Sequence, residues 1–344
     1  MTITLALAVV AAACGGGNDS SDDADRNLDA GPAGDAAWDD LVAAAQEEGS
    51  VAIYSSQGLD QLNDLAARFQ DEYGITVTVV RDIDSALETK LDAEDTTGNQ
   101  VADIVAVADG GWANHKGGQG WFEAPTGPAF DEPAYDAATN LSEDGHFVSS
   151  AAVLTFGWNT NLYPDGLDDY DDLLDPALAG GKIGVMEPGS PSVVDFYTNY
   201  LAGKFGDDFL GELAAQEPRL YPSSLPMAQA LASGEISAAA FVQVMTDEKE
   251  AGAPVESGLS DTVWGARFET AILADAPHPN AAQLLANYMI TPSGQEAIAR
   301  KAAAVLPDVE GTVTTIDKVE IIDLNVITPE VVTDFQTTWQ DLFT

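Results

Sequence analysis

Apolar side chains recur along this chain in two alternating rhythms. Leu41, Val42 and Ala45 share one face of a helix that opens at Trp38 and stops at Gly49. Val51-Ala52-Ile53-Tyr54 is a short buried strand, followed by the polar turn Ser55-Ser56-Gln57-Gly58. Leu62, Leu65, Ala66, Phe69 and Tyr73 return to helical spacing, with Gly74 as the stop. Residues 75–80 read as a strand, 85–95 as a helix and 102–107 as a third strand. This order predicts an α/β fold with a parallel sheet. The alternation restarts with strands at 151–158 and 182–186, a helix near 192–201, another at 227–233 and a strand at 236–244. A short strand at 271–273 precedes a helix at 280–289. Thr291 caps a further helix whose first residue is Pro292, where the missing N–H costs nothing. Residues 329–343 read as a closing helix, and there is no short-period repeat. The pattern predicts two α/β lobes, one from 36–147 plus 258–315 and the other from 150–255, with 316–344 a C-terminal helical segment. Crossings fall near 148–158 and 240–258.

Length supports this, since 344 residues suffice for two lobes with real cores. Charge narrows the partners. With 57 acidic against 13 basic residues the net charge is −44, a field that repels nucleic-acid phosphates and anionic headgroups. The carboxylates are spread over the whole chain, as in Asp168-Asp169-Tyr170-Asp171-Asp172, which fits a hydrated, salt-adapted surface. Enzyme signatures are missing: there is no GxSxG, HExxH or GxxxxGK[ST] pattern. Paired carboxylates discriminate nothing in so acidic a chain. The expectation is a binding protein without catalytic residues or cofactor.

The N-terminus adds an address. Residues 3–13 are apolar and end in three alanines, directly before Cys14, which is the sole cysteine and so has no disulfide partner. Gly15-Gly16-Gly17 and the acidic stretch 18–25 follow. An apolar segment with small residues before a cut is an export signal, and a thiol just after the cut resembles a bacterial lipobox. Residues 1–13 are thus expected to be a lipoprotein signal peptide, Cys14 the lipidated residue, and 14–35 a disordered tether. The folded part would hang from the outer face of the cytoplasmic membrane, touching it only through lipid. No basic residue precedes Arg26, so the usual positive n-region is missing, which points to an upstream start. No later run reaches membrane-spanning length.

Four stretches in order resemble the extracellular solute-binding proteins of bacterial ABC importers, in the branch of ferric-iron, thiamine and aminoalkylphosphonate binders. They are EGSVAIYSSQGLDQLNDLAARFQDEYGITVTVV (48–80), VADIVAVADGGW, FGWNTNLYPDGLDDYDDLLDPALAGGKIGVMEPGSPS and ADAPHPNAAQLLANYMITPSGQEAI. The resemblance covers about residues 36–344. It implies a type II periplasmic-binding-protein fold: two lobes, a small solute in the cleft between them, closure on binding, monomeric action, and permease and ATPase subunits as partners. A sensory module presenting its ligand to a receptor shares the same sequence features.

Candidate ligand contacts lie at strand ends, where open α/β sheets bind. Ser55, Ser56 and Gln57 follow the first strand and suit a polar or anionic group, or simply cap the helix behind them. Asp109 follows the third strand, as partner for a cation or as a turn former before Gly110. In the second lobe Ser190 and Ser192 flank Pro191, where a capped helix start would also accept a phosphate or carboxylate. Trp158 and Asn159 end the crossing strand, with Trp158 available for stacking or for the core. Gln243 is polar in an apolar strand, and Trp264 and Arg267 lie in the return to the first lobe. The resembling ferric binders use adjacent tyrosines with a histidine and a glutamate. Here those positions read Val244, Met245, Gly58 and Ala108, none a donor for hard metal. His115, His146 and His278 show no ligand spacing. No metal site is therefore expected, and a small zwitterionic or phosphorylated organic solute is favoured over bare ferric ion. Iron held through a chelator or a helper anion is the alternative.

Overall fold

A computed structural model describes residues 36–320 and 327–343. The expected signal peptide, Cys14 and the expected tether lie outside the described residues. The helix Ala36–Glu48 ends at Gly49, whose φ of 71° a glycine adopts without steric cost. Strand β1 (Ser50–Ser55) follows, then the helix Leu59–Tyr73, which buries Leu62, Leu65 and Phe69. At its start Gln61 reaches back to accept the Gly58 N–H at 3.2 Å, and Gly74 closes it with an N–H to Gln70. Next come β2 (Thr76–Arg81), the helix Asp84–Thr97 and β3 (Ile104–Val107). Strand β1 pairs in parallel with both β2 and β3, the βαβ arrangement that the alternating rhythm predicted.

Beyond β4 (Phe122–Glu123), the 14-residue β5 (His146–Asn159) is the longest of the described strands. Then follow β6 (Ile183–Met186), β7 (Arg219–Tyr221), β8 (Ala238–Gln243), β9 (Val255–Gly258) and β10 (Val263–Leu273). Short β11 (Ala303–Ala304), β12 (Thr314–Thr315) and β13 (Val319–Glu320) complete the described strands. The main strand order is β2-β1-β3-β10-β5-β8-β6-β7. The first half of β5 pairs with β10 and β11, its second half with β8 and β9, so one strand serves both lobes.

Each half carries its own core. One apolar cluster gathers Val51, Ile53, Leu62, Phe69, Leu284 and Ile298, and a smaller one on the opposite face of the same sheet gathers Tyr54, Leu87, Val105 and Leu273. The other half buries Phe156, Ile183, Val185, Phe196, Leu231 and Phe241. The C-terminal segment divides between them: Ile316 and Val319 pack in the first cluster, whereas the helix Pro329–Phe343 lays Phe335, Trp339 and Phe343 on the second.

Among the differences from the sequence reading, three bear on the site. Strand β5 begins at His146 rather than residue 151, because Ser149 and Ser150 find hydrogen-bond partners and can be buried. Strand β10 begins at Val263 rather than 271, its polar Arg267 and Glu269 interrupting the apolar pattern. The helix Gly110–Gly117, capped by Asp109, was not predicted, because two glycines open it.

Candidate functional site

The strand registers place the candidate residues along the molecule. Ser55 is level with Ala106, and the Ser56 N–H donates to the Ala106 carbonyl at 3.1 Å. Val107 is level with Glu269, and Arg267 with Ala151. Two residues beyond Val107 and two before Glu269, Asp109 and Arg267 therefore share one level, just past the carboxyl ends of β1 and β3. In the other half, Gln243 closes β8 opposite Leu154, and β6, parallel to β8, ends at Met186 before the loop carrying Ser190. Ala151 and Leu154 are three residues apart, about 10 Å of strand. Asp109 and Arg267 stand at one edge of that gap and Gln243 at the other, while Ser55, level with Phe147 through Ala106 and Thr270, lies farther back in the first half.

Ser55 and Gln57 are fully buried and used internally. The Ser55 hydroxyl accepts the Gln57 N–H at 3.1 Å and donates to Gln57 Oε1 at 3.2 Å. Gln57 Nε2 donates to the Ser150 hydroxyl at 2.8 Å, tying the loop to β5. Arg81 braces the same loop from outside, donating at 3.3 Å to the carbonyls of Gln57 and Ser56. Within this group the Ser56 hydroxyl is left buried without a partner.

Asp109 caps the helix Gly110–Gly117 by accepting the Trp112 N–H at 2.9 Å, so the turn-forming role is realised. Around it lies an acidic rim. Asp84 accepts the Ala108 N–H at 3.2 Å, and Lys116 pairs with Asp92 at 2.6 Å. Glu88 sits among them, its carboxyl pushed up to about 7 by burial and then by Asp109, Asp84 and Asp92, against Lys116. Glu269 lies against Gly110, where a β-carbon would meet its Cγ at 3.8 Å. Its carboxylate accepts from His146 Nδ1 at 3.0 Å, and His146 Nε2 lies 3.2 Å from Asn114 Oδ1.

On the other wall the Ser190 and Ser192 hydroxyls lie 3.0 Å apart. Ser190 stands at the helix start as expected but makes no side-chain cap bond. Gln243 is exposed. Lys301, next to β11, makes an ion pair with Asp247, just after β8, linking elements of the two halves.

Three candidates lie elsewhere. Trp158 pairs with Ala238 at the opposite end of β8, about 13 Å beyond Leu154, where it stacks on Phe156 and packs against Gly166. Asn159 is buried and holds the adjoining turn, donating to the Leu231 carbonyl at 2.9 Å. Trp264 is buried among Phe196 and Phe241, its Nε1–H donating to Asp195 at 2.9 Å. His278 has a structural part, donating backbone and ring N–H groups to the buried Asp103. Conversely, Arg81, His146 and Glu269 join the site from segments far apart in sequence. Only the polar alternation of Arg267 and Glu269 within an apolar stretch could have flagged β10.

This arrangement, two α/β lobes with polar loops meeting across shared strands, defines a solute-binding protein of the periplasmic type. The chain belongs to the bacterial extracellular solute-binding family, whose profile matches residues 51–301. No curated protein matches it. Among solved structures it is similar to the periplasmic binding protein P5PA, at 22% identity and TM-score 0.58 over 86% of this chain and 100% of that one. It is also similar to AfuA of Actinobacillus pleuropneumoniae with fructose-6-phosphate bound, at 20% identity and TM-score 0.59 over 86% of this chain and 98% of AfuA. IdiA (FutA) of Trichodesmium, in complex with iron and citrate, matches at 16% identity and TM-score 0.61 over 86% and 99%. These identities establish a shared fold. The protein is thus an extracytoplasmic solute-binding protein and not an enzyme.

Proposed function

We propose that this protein captures a small phosphorylated or zwitterionic organic solute in the cleft and hands it to a membrane permease. The donor set carries the reading. At cleft level the chain offers hydroxyls, an amide, a guanidinium and a carboxylate, while Val244 and Met245, just after β8, offer no oxygen to a metal. The solute would lie between Ser56, Asp109 and Arg267 on one wall and Ser190, Ser192 and Gln243 on the other. In our reading the lobes are 36–147 with 258–315, and 150–255, acting as a monomer. The fructose-6-phosphate held by AfuA is one solute of this chemistry. Arg267 also suits the carboxylates of a chelate such as ferric citrate, which is the second reading. A neighbouring permease and ATPase would separate an importer from a receptor-bound sensor.

Calorimetry with fructose 6-phosphate, 2-aminoethylphosphonate, ferric citrate and bare ferric ion side by side tests this. Binding of a phosphorylated or zwitterionic compound supports it. Tight binding of bare iron with a visible tyrosinate charge-transfer band refutes it. We also propose that lipid on Cys14 tethers the protein to the membrane. A palmitate analogue should label the full chain, and Cys14→Ala should lose the label and release the protein. Labelling that survives the substitution would refute the anchor.

A further inference from the structure

Among the described residues Arg267 and Arg300 both hold a buried Nε without a partner, and the register puts Arg267 at cleft level. It sits half-buried on β10, and its Nε is enclosed without a hydrogen-bond partner. Among the described residues no carboxylate forms an ion pair with it, although acidic side chains outnumber basic ones more than fourfold. A guanidinium in such surroundings is normally claimed by a carboxylate, since a half-buried charge is costly unpaired.

The nearest candidate on its own strand is Glu269. The register shift next to Phe268 leaves the extra residue, Ser149, on β5, so β10 keeps its alternation. Arg267 and Glu269 therefore share a face, the one that meets Gly110 at the start of the helix after β3. Glu269 is already engaged: its carboxylate accepts from His146, itself buried and flanked by Asn114. Burial pulls the Arg267 pKa down against the attraction of Glu269, yet a guanidinium keeps its proton at any ordinary pH. The result is a fixed positive charge at cleft level, held open for a counter-ion.

We propose that Arg267 is the oxyanion anchor of the cleft, binding the phosphate, phosphonate or carboxylate of the solute, with His146 keeping Glu269 from neutralising it. This rests on the reading of the cleft as a site for a phosphorylated or zwitterionic solute. Planar N–H groups of arginine match such oxygens in pairs, which makes the contact directional as well as charged.

The test uses two probes on the full chain. Inorganic phosphate, against chloride at equal ionic strength, should raise the melting temperature of the wild type and leave Arg267→Met unmoved, with Arg267→Lys between them. Fructose 6-phosphate and 2-aminoethylphosphonate should bind Arg267→Met about 100-fold more weakly than wild type. Circular dichroism would establish that the variant is folded. His146→Gln tests the second half of the proposal and should weaken phosphate binding by freeing Glu269. Phosphate stabilisation lost with Arg267 while no organic probe binds would uphold the anchor and refute the solute class. Organic binding that is equal in wild type and Arg267→Met would uphold the class and overturn the anchor. Equal phosphate response in both proteins, or none in either, also overturns the anchor.

Discussion

At the scale of single residues, burial decides which polar groups are free to meet a ligand. Trp264 was a candidate for the cleft by position, but its indole donates to Asp195, whose other oxygen accepts from Asn199 at 2.8 Å. Trp264→Phe leaves a buried carboxylate oxygen unpaired. We expect it to cost about 2–3 kcal/mol in denaturant unfolding while the affinity for the solute stays unchanged. A large loss of affinity at full stability would return Trp264 to the site. Glu88 gives a pH-dependent counterpart. Below its ordinary value of 4.5 the carboxyl is protonated in both folded and unfolded chains. Between 4.5 and about 7 only the folded form holds the proton, so stability falls as pH rises through that window and then levels off. Solvent reaching this partly exposed group reduces the effect, so Glu88→Gln should gain about 1 kcal/mol at pH 8 and nothing at pH 4. Equal gains at both pH values would locate the benefit elsewhere than in the proton.

At the scale of elements, the legible parts are those whose side chains alternate for local reasons. Leu62, Leu65 and Phe69 point one way because a helix repeats every 3.6 residues, and the helix Leu59–Tyr73 appears where that spacing put it. The positions of the loops after β1 and β3 were legible because each follows a short apolar strand run. Strand β10 was not, since Arg267 and Glu269 interrupt its apolar run and its partners β3 and β5 are more than a hundred residues away. Trp158 was misplaced for a related reason. The direction of β5 is fixed by its antiparallel pairing with β8, which no local pattern reveals, and this direction carries Trp158 away from the gap. Trp158→Ala should therefore destabilise the protein by about 3 kcal/mol through lost packing, with the dissociation constant unchanged. A weakened constant in the folded variant would mean that the far end of β5 senses the ligand.

At the scale of the whole molecule, a net charge of −44 surrounds a cleft in which we place an oxyanion. The two facts oppose each other only at long range. The anchor acts within a few ångströms, inside the screening length at any salt concentration of interest. The carboxylates are spread over the whole chain, so at low salt, where the screening length exceeds ~10 Å, many of them act on the cleft together. Raising salt toward 1 M shortens that length to ~3 Å, removing the distant repulsion before it weakens the contact. An ordinary arginine–phosphate pair on a neutral protein loosens as salt is added. Here the affinity for fructose 6-phosphate should tighten between 0.05 and 0.5 M sodium chloride, while an uncharged sugar, if it binds, shows no such slope. Stability should rise over the same range, because self-repulsion among 57 acidic side chains is screened too. Calorimetry across a salt series reads both slopes. Affinity for the phosphorylated sugar that falls steadily with salt would show that the global field does not reach the cleft, and that the local contact alone governs capture.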